Sequence, residues 1–319
     1  MTGILVKILI TSLAFTAMSV FGAEFPARPV RLIVPFPPGG PLDIVGRLVA
    51  RKLSEQWSQP VVIDNRGGAS GAIGTGELAK SPADGYTLLV NSTPIVATPH
   101  LQKLPYDTLR DLVGVSQIAA IDYVLVATPR SGIGSVEDLI ALAKKQPGKL
   151  NYASAGTGSG QHLFVELMKG AAGADIHHVP YKGAAAAVQA LLAGEVDLMF
   201  EVSVGVLAQV RAGKLRALLV TGAKPLEALP GVPPFESIFP GVGIEAWHGM
   251  FAPAATPAPV LQQIAADVRA AVLSPEISSR LRELGFQPTG LPHPRFQEVV
   301  ARDFERWGKL IRDNNIRAD

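Results

Sequence analysis

Two stretches of this chain hold residue types that could do chemistry. The first is Phe36-Pro37-Pro38-Gly39-Gly40-Pro41-Leu42-Asp43, between the apolar run Val30–Pro35 and the amphipathic segment Asp43–Trp57. The second is Ser154-Ala155-Gly156-Thr157-Gly158-Ser159-Gly160-Gln161-His162, after the run Leu150–Ala153. Each reads as a strand, a loop and a helix start. The first turn of a helix has backbone N–H groups with no carbonyl partner and lies at the positive end of the helix dipole. Glycines in the loop before it let those donors approach an anion closely. Three prolines and two glycines within Phe36–Pro41 also stiffen the first loop. Two such junctions, more than a hundred residues apart, predict two lobes gripping one small ligand.

Other chemistry is harder to support. The second loop lacks the Lys-Ser/Thr pair of a phosphate-binding P-loop, and Tyr152 stands where a hydrolase elbow needs glycine. An exported hydrolase using Ser154 and His162 is therefore the weaker reading. Ser154, Thr157 and Ser159 read better as donors around a carboxylate, with His162 facing either the cleft or the lobe surface. Asp43 is expected to cap the helix and hold loop N–H groups, because it would repel an anion. Gly74-Thr75-Gly76-Glu77-Leu78-Ala79 matches a dinucleotide fingerprint only nominally, since a loop separates it from the strand ending at Asp64. His177 and His178 are adjacent, so in a strand they point to opposite faces. With no cysteine and no His-x-x-x-His pair, neither a metal nor a cofactor is expected. Lys182, where Tyr181-Lys182-Gly183 ends a strand and starts a helix, could attract an anion at the cleft rim. Trp247 reads as core or as an aromatic wall over an organic acid.

The elements that must position these groups alternate along the chain. Strands are predicted at 61–64, 86–90, 113–118, 123–127, 177–180, 196–200, 215–221 and 249–252. Helices are predicted at 161–169, 183–192, 203–212, 259–273, 275–284 and 294–314, with a capping box at Ser135-Val136-Glu137-Asp138. Repeated strand-helix-strand units imply an α/β fold with parallel sheets. The strands at 123–127 and 215–221 flank one complete α/β block. The chain is thus expected to leave lobe 1 (24–124), build lobe 2 (125–219) and return to lobe 1 (220–319), with the cleft at the carboxyl ends of the strands.

Composition narrows the class. The segment 1–23 has Lys7, an apolar run from Ile8 to Phe21 and small residues at Gly22 and Ala23. It reads as a secretory leader cleaved near Gly22 or Ala23, which places the mature chain in the periplasm. Of 29 basic residues only Lys7 lies in the leader, so 28 face 27 acidic residues in the mature chain and nucleic acid is not an expected partner. An exported chain without cysteine must rely on its core, which 48% hydrophobic content allows.

Many collinear motifs also resemble one family, the Bug-type extracytoplasmic solute receptors of tripartite tricarboxylate transporters. They include Phe25-Pro26, Arg28-Pro29, Val34-Pro35-Phe36, Pro38-Gly39-Gly40, Asp84-Gly85-Tyr86-Thr87-Leu88-Leu89, Leu104-Pro105-Tyr106-Asp107 and Pro147-Gly148-Lys149-Leu150. Tyr152-Ala153-Ser154-Ala155-Gly156, His178-Val179-Pro180-Tyr181-Lys182-Gly183, Val196-Asp197-Leu198-Met199-Phe200 and Phe251-Ala252-Pro253-Ala254 continue the match across the mature chain. The resemblance implies a type II periplasmic binding protein, acting as a monomer, that binds a small carboxylate for permease membrane subunits. A ligand-sensing subunit of a signalling receptor is the alternative. It implies that the loops Phe36–Gly40 and Ser154–Gly158 pinch one carboxylate through backbone amides. Residues near Asn91, Ser92 and Thr93, near Glu201 and Ser203, and at Trp247-His248 would then read the distal end. The chain departs from many relatives at Pro41-Leu42 and at Glu201, where many carry Asp.

Overall fold

The computed structural model describes residues 25–222, 224–242 and 245–317. The leader read at 1–23 lies outside them. Among the described residues, eleven strands form two sheets. They are β1 (Val30–Val34), β2 (Val61–Asn65), β3 (Thr87–Ser92), β4 (Leu112–Ile121), β5 (Tyr123–Ala127), β6 (Asn151–Ser154), β7 (His177–Pro180), β8 (Leu198–Val202), β9 (Arg216–Val220), β10 (Ala246–Pro253) and β11 (Gln287–Pro292). The helices of eight or more residues are α1 (Pro41–Trp57), α2 (Ala72–Ala79), α3 (Val136–Lys145), α4 (Gly160–Ala172), α5 (Ala184–Ala193), α6 (Ser203–Arg211), α7 (Ala258–Leu273), α8 (Pro275–Glu283) and α9 (Arg295–Asp313).

One sheet runs β11-β4-β10-β3-β1-β2 and the other β7-β6-β8-β5-β9. The β2-β1-β3 and β7-β6-β8 parts are parallel, as helical crossovers require. The sheets are mixed, however, and not parallel throughout. β10 runs antiparallel to both β3 and β4, and β5 antiparallel to both β8 and β9. These strands sit where the chain passes between the sheets, so no crossover helix fixes their direction. A single residue, Asp122, separates β4 in one sheet from β5 in the other.

Three strands differ from the sequence reading in ways that matter for the site. β8 extends through Glu201 and Val202, all five residues being buried. β10 begins at Ala246, so Trp247 and His248 lie inside the strand and not ahead of it. β11 escapes a propensity reading because it holds Pro288, Gly290 and Pro292, and it occupies a sheet edge, where proline is tolerated.

Apolar strands pack between the helical layers, with Val30, Leu32, Leu88, Val124, Leu125 and Val126 fully buried. Helix α9 ties the two sheets' surroundings together. Its Phe296 meets Trp247 edge-on at 5.1 Å, and its Trp307 meets Phe164 of α4 edge-on at 5.8 Å.

Candidate functional site: a cavity between three helix N-termini

The first loop is built as a rigid jaw. Helix α1 opens at Pro41 with Gly40 as its N-cap, two residues earlier than expected, because proline's fixed φ suits the first helical position. Asp43 therefore sits in the first turn and reaches backward. Its carboxylate accepts from Gly39 N–H at 2.9 Å, from Arg47 Nε at 2.9 Å and from Asn65 Nδ2 at 2.9 Å. Asn65 Nδ2 also donates to the Phe36 carbonyl at 3.1 Å. Burial opposes ionisation of Asp43, but these bonds outweigh it and hold the carboxyl below its usual range. Asp43 thus spends its charge on the loop.

The second loop is tied from behind. Ser154 is fully buried, its Oγ 2.6 Å from His178 Nε2 and accepting from Gly156 N–H at 3.0 Å. Ser159 caps α4, which opens at Gly160. Gly158 N–H donates to His162 Nδ1 at 3.3 Å, and the His162 ring packs 4.6 Å from His178, fully buried. His162 therefore supports the loop from within the lobe instead of facing the cleft. The serine pairs with His178 rather than His162, and no residue of that pair lines the cavity described next.

A cavity of about 70 Å³ lies between the jaws. Phe36, Pro37, Pro38, Gly40, Pro41, Leu42 and Asp43 form one wall. Ala155, Ser159, Gly160 and Gln161 form the opposite wall, and Lys182, Gly183, Ala184 and Ala185 a third. The N-termini of α1, α4 and α5 therefore converge on one space. Each end contributes roughly 0.3–1 kcal/mol toward a negative charge, more where water is excluded. Gly183 makes the third approach possible: its φ of +104° suits glycine, and an added Cβ would lie 3.3 Å from Pro37 Cγ of the facing jaw. Exposed Lys182 adds a cation at the rim.

The deep end is lined by Ser92, Pro94, Tyr123, Val202 and His248. Tyr123 abuts the start of α4 so closely that a Cβ on Gly160 would fall 2.1 Å from its hydroxyl. Gln161 lines the cavity and donates Nε2–H to Glu201 Oε2 at 3.0 Å, while Val202 N–H donates to Oε1 at 2.8 Å. Burial pushes the fully buried Glu201 carboxyl up to about 7 against those two bonds, and pushes the Tyr123 phenol up as well. Burial pulls His248 down to about 3, so its ring is neutral.

A wider vestibule of about 630 Å³ adjoins the jaws, where Gly156 and Thr157 face Ser70, Phe36 and Lys182. Here the jaws touch: Ser70 Oγ donates to the Thr157 carbonyl, and Thr98 Oγ1, which donates to the Pro94 carbonyl at 2.8 Å, lies 3.5 Å from the Gly158 carbonyl.

Of the predicted residues, Phe36, Pro38, Gly40, Asp43, Ser92, Ala155 and Lys182 line the cavity, and Gly156 and Thr157 the vestibule. Gly39, Ser154, Gly158 and His162 hold the loops. Asn91 is turned away, donating to Thr75 Oγ1 at 3.0 Å. Thr93 pairs with the Trp247 backbone, accepting from its N–H at 2.8 Å. Ser203 donates to the Gly285 carbonyl at 3.2 Å. Trp247 as a ligand wall is corrected: strand alternation sends its indole into the core, where Nε1–H donates to Asp303 at 2.8 Å, and sends His248 the other way. Tyr123 and Gln161 are polar lining residues that the sequence reading did not assign to the ligand, while His248 was expected there only beside Trp247. A strand read as starting at Ala246 would have separated His248 from Trp247.

Two mixed sheets with helix N-termini converging on a cavity between them define a solute receptor with the fold of periplasmic binding proteins. Residues 45–316 match the family described as tripartite tricarboxylate transporter family receptor. The chain is 35% identical over 305 residues to BugT of Bordetella pertussis, covering 94% of each. Among solved structures, Rpa4515 of R. palustris with adipate superposes with a TM-score of 0.86 at 36% identity, covering 92% of this chain and 99% of that one. The periplasmic binding protein BugD gives a TM-score of 0.86 at 30% identity, covering 92% and 100%. The chain belongs to the tripartite tricarboxylate transporter receptor family, whose members are solute-binding receptors and not enzymes.

Proposed function

We propose that this protein is a periplasmic receptor that closes on one small organic carboxylate and delivers it to tripartite tricarboxylate permease membrane subunits. Lobe 1 comprises 24–124 with 220–319, and lobe 2 comprises 125–219, after cleavage of the leader near Gly22 or Ala23. The observation that carries the reading is the convergence of the α1, α4 and α5 N-termini on one cavity. The carboxylate is held by backbone N–H groups of the Phe36–Asp43 and Ser154–Gly158 loops and the Gly183 turn, with Lys182 at the rim. A relative solved with adipate supports the ligand class.

Binding a ligand only in the folded state raises Tm with concentration; saturation a hundredfold above Kd adds about 2.7 kcal/mol. A thermal-shift panel of mono- and dicarboxylates is expected to yield saturable stabilisation, verified by calorimetry. A flat panel with both methods would remove the reading's support.

A further inference from the structure

The jaws account for one end of a ligand; the deep end has its own chemistry. His248 is 2% exposed, its ring lines the cavity, and its Nδ1 has no hydrogen-bond partner among the described residues. A buried polar atom left unpaired costs stability, so on a ring that lines a binding cavity it marks a group whose pairing a ligand can complete. The ring is fixed for that task on the central strand β10, with Phe286 packed 5.6 Å away.

The deep end also holds no counter-charge for a second anion. Its lining side chains Ser92, Pro94, Tyr123, Val202 and His248 include no cation, and the only Lys or Arg in the lining is Lys182 at the exposed rim. One N–H of the Gln161 amide goes to Glu201, a buried acid directly behind it. An ionised carboxylate here would be desolvated without a counter-charge.

We infer that His248 is a specificity-determining residue that selects, at the deep end, a neutral group able both to donate and to accept a hydrogen bond. The preferred ligand is then a monocarboxylate with a hydroxyl or carboxamide at its far end, and not a dicarboxylate. Either tautomer of the imidazole is satisfied by such a group, since hydroxyls and carboxamides offer both roles. This inference rests on the jaws holding the first carboxylate, as proposed above.

The test is a calorimetric comparison of matched acids at neutral pH: butyrate, γ-hydroxybutyrate, succinamate and succinate, with hexanoate, ω-hydroxyhexanoate, adipamate and adipate as a longer set. The hydroxy or amide acid is expected to bind on the order of tenfold more tightly than the plain acid and the diacid of equal length, the worth of one buried hydrogen bond. In His248→Leu that preference is expected to vanish, the plain and the hydroxy or amide acids of equal length binding within about threefold of one another; His248→Gln, which keeps a donor and an acceptor, is expected to restore part of it. Tighter binding of succinate or adipate by the unaltered protein would overturn the inference, whether or not the variants fold. So would a preference that survives His248→Leu. Binding of plain acids without the preference overturns this inference alone, whereas silence across the whole panel overturns the jaw reading with it.

Discussion

Glu201 and His248 are buried ionisable groups whose protonation equilibria move in opposite directions. Glu201 is raised from 4.5 to about 7, so the native state keeps a proton that the unfolded chain has lost. Its contribution is fully present below 4.5 and is lost as pH rises toward 7. His248 is lowered from 6.5 to about 3, so the unfolded chain binds a proton that the native state refuses. Its contribution is present above 6.5 and is lost as pH falls toward 3. Between 4.5 and 6.5 the two slopes cancel. Taken as a pair, they predict a plateau in stability over that window, with a fall on either side. Glu201→Gln is expected to leave only the histidine's slope, so that stability climbs with pH up to about 6.5. The gain at neutral pH is on the order of 3 kcal/mol at most, because each tenfold change in proton affinity is worth about 1.4 kcal/mol. Urea melts of both proteins from pH 4 to 8 check this; parallel curves would mean that Glu201 does not titrate on folding. Asp43 works differently, because its one carboxylate satisfies three donors. An amide in its place must turn its NH2 toward at least one of them. Asp43→Asn is therefore expected to cost about 1–3 kcal/mol in a thermal melt and to weaken carboxylate binding through a loosened jaw. Unchanged affinity would mean that α1 holds the loop without it.

At the scale of elements, the jaws are legible in the sequence because glycine and proline mark turns by their own backbone limits. The Phe36–Asp43 and Ser154–His162 junctions and the α/β alternation follow from such local signals. The deep wall is not legible, because tertiary packing sets it. Glu201 looks in sequence like the end of a strand, yet β8 carries it inside, its oxygens taken by Gln161 and Val202. Gly249 makes β10 look as if it begins there, whereas the glycine only makes room for Phe296, whose ring would lie 2.2 Å from an added Cβ. Tyr123 reads as hinge strand alone, yet its hydroxyl end packs against the first residue of α4. That contact makes α4's position testable. Gly160→Ala must move Tyr123 or shift the helix start, and either movement misplaces the N–H groups of the second jaw. The variant is expected to melt lower, by about 1–3 kcal/mol as overpacked cores do, and to lose most carboxylate affinity. Wild-type affinity by calorimetry would show that the tyrosine can retreat and that the wall is not rigid.

At the scale of the whole molecule, contacts across the mouth close the jaws, while the chain crossing and helix α9 join the two sheets. Across the mouth, Ser70 meets the Thr157 carbonyl, Thr98 meets that of Gly158, and Pro37 lies against Gly183. At the crossing, Tyr123 N–H donates to Thr221 Oγ1 and Thr221 N–H to the Tyr123 carbonyl, both at 2.9 Å, which aligns the two connecting segments as one narrow band. The clasp at the mouth exists only with the jaws together. Ligand affinity then contains the free energy of closing as well as of contact. Ser70→Ala removes a hydroxyl clasp without removing a backbone donor from the jaws. At about 0.5–1.5 kcal/mol for one hydrogen bond, the variant is expected to bind carboxylate roughly 2- to 13-fold more weakly, with unchanged Tm in the absence of ligand. Small-angle scattering should show the unaltered protein contracting at saturating ligand, and the variant needing proportionally more ligand to reach the same compact form. Equal affinity in the two proteins would place the closing energy in the ligand's own contacts, with the clasp merely following.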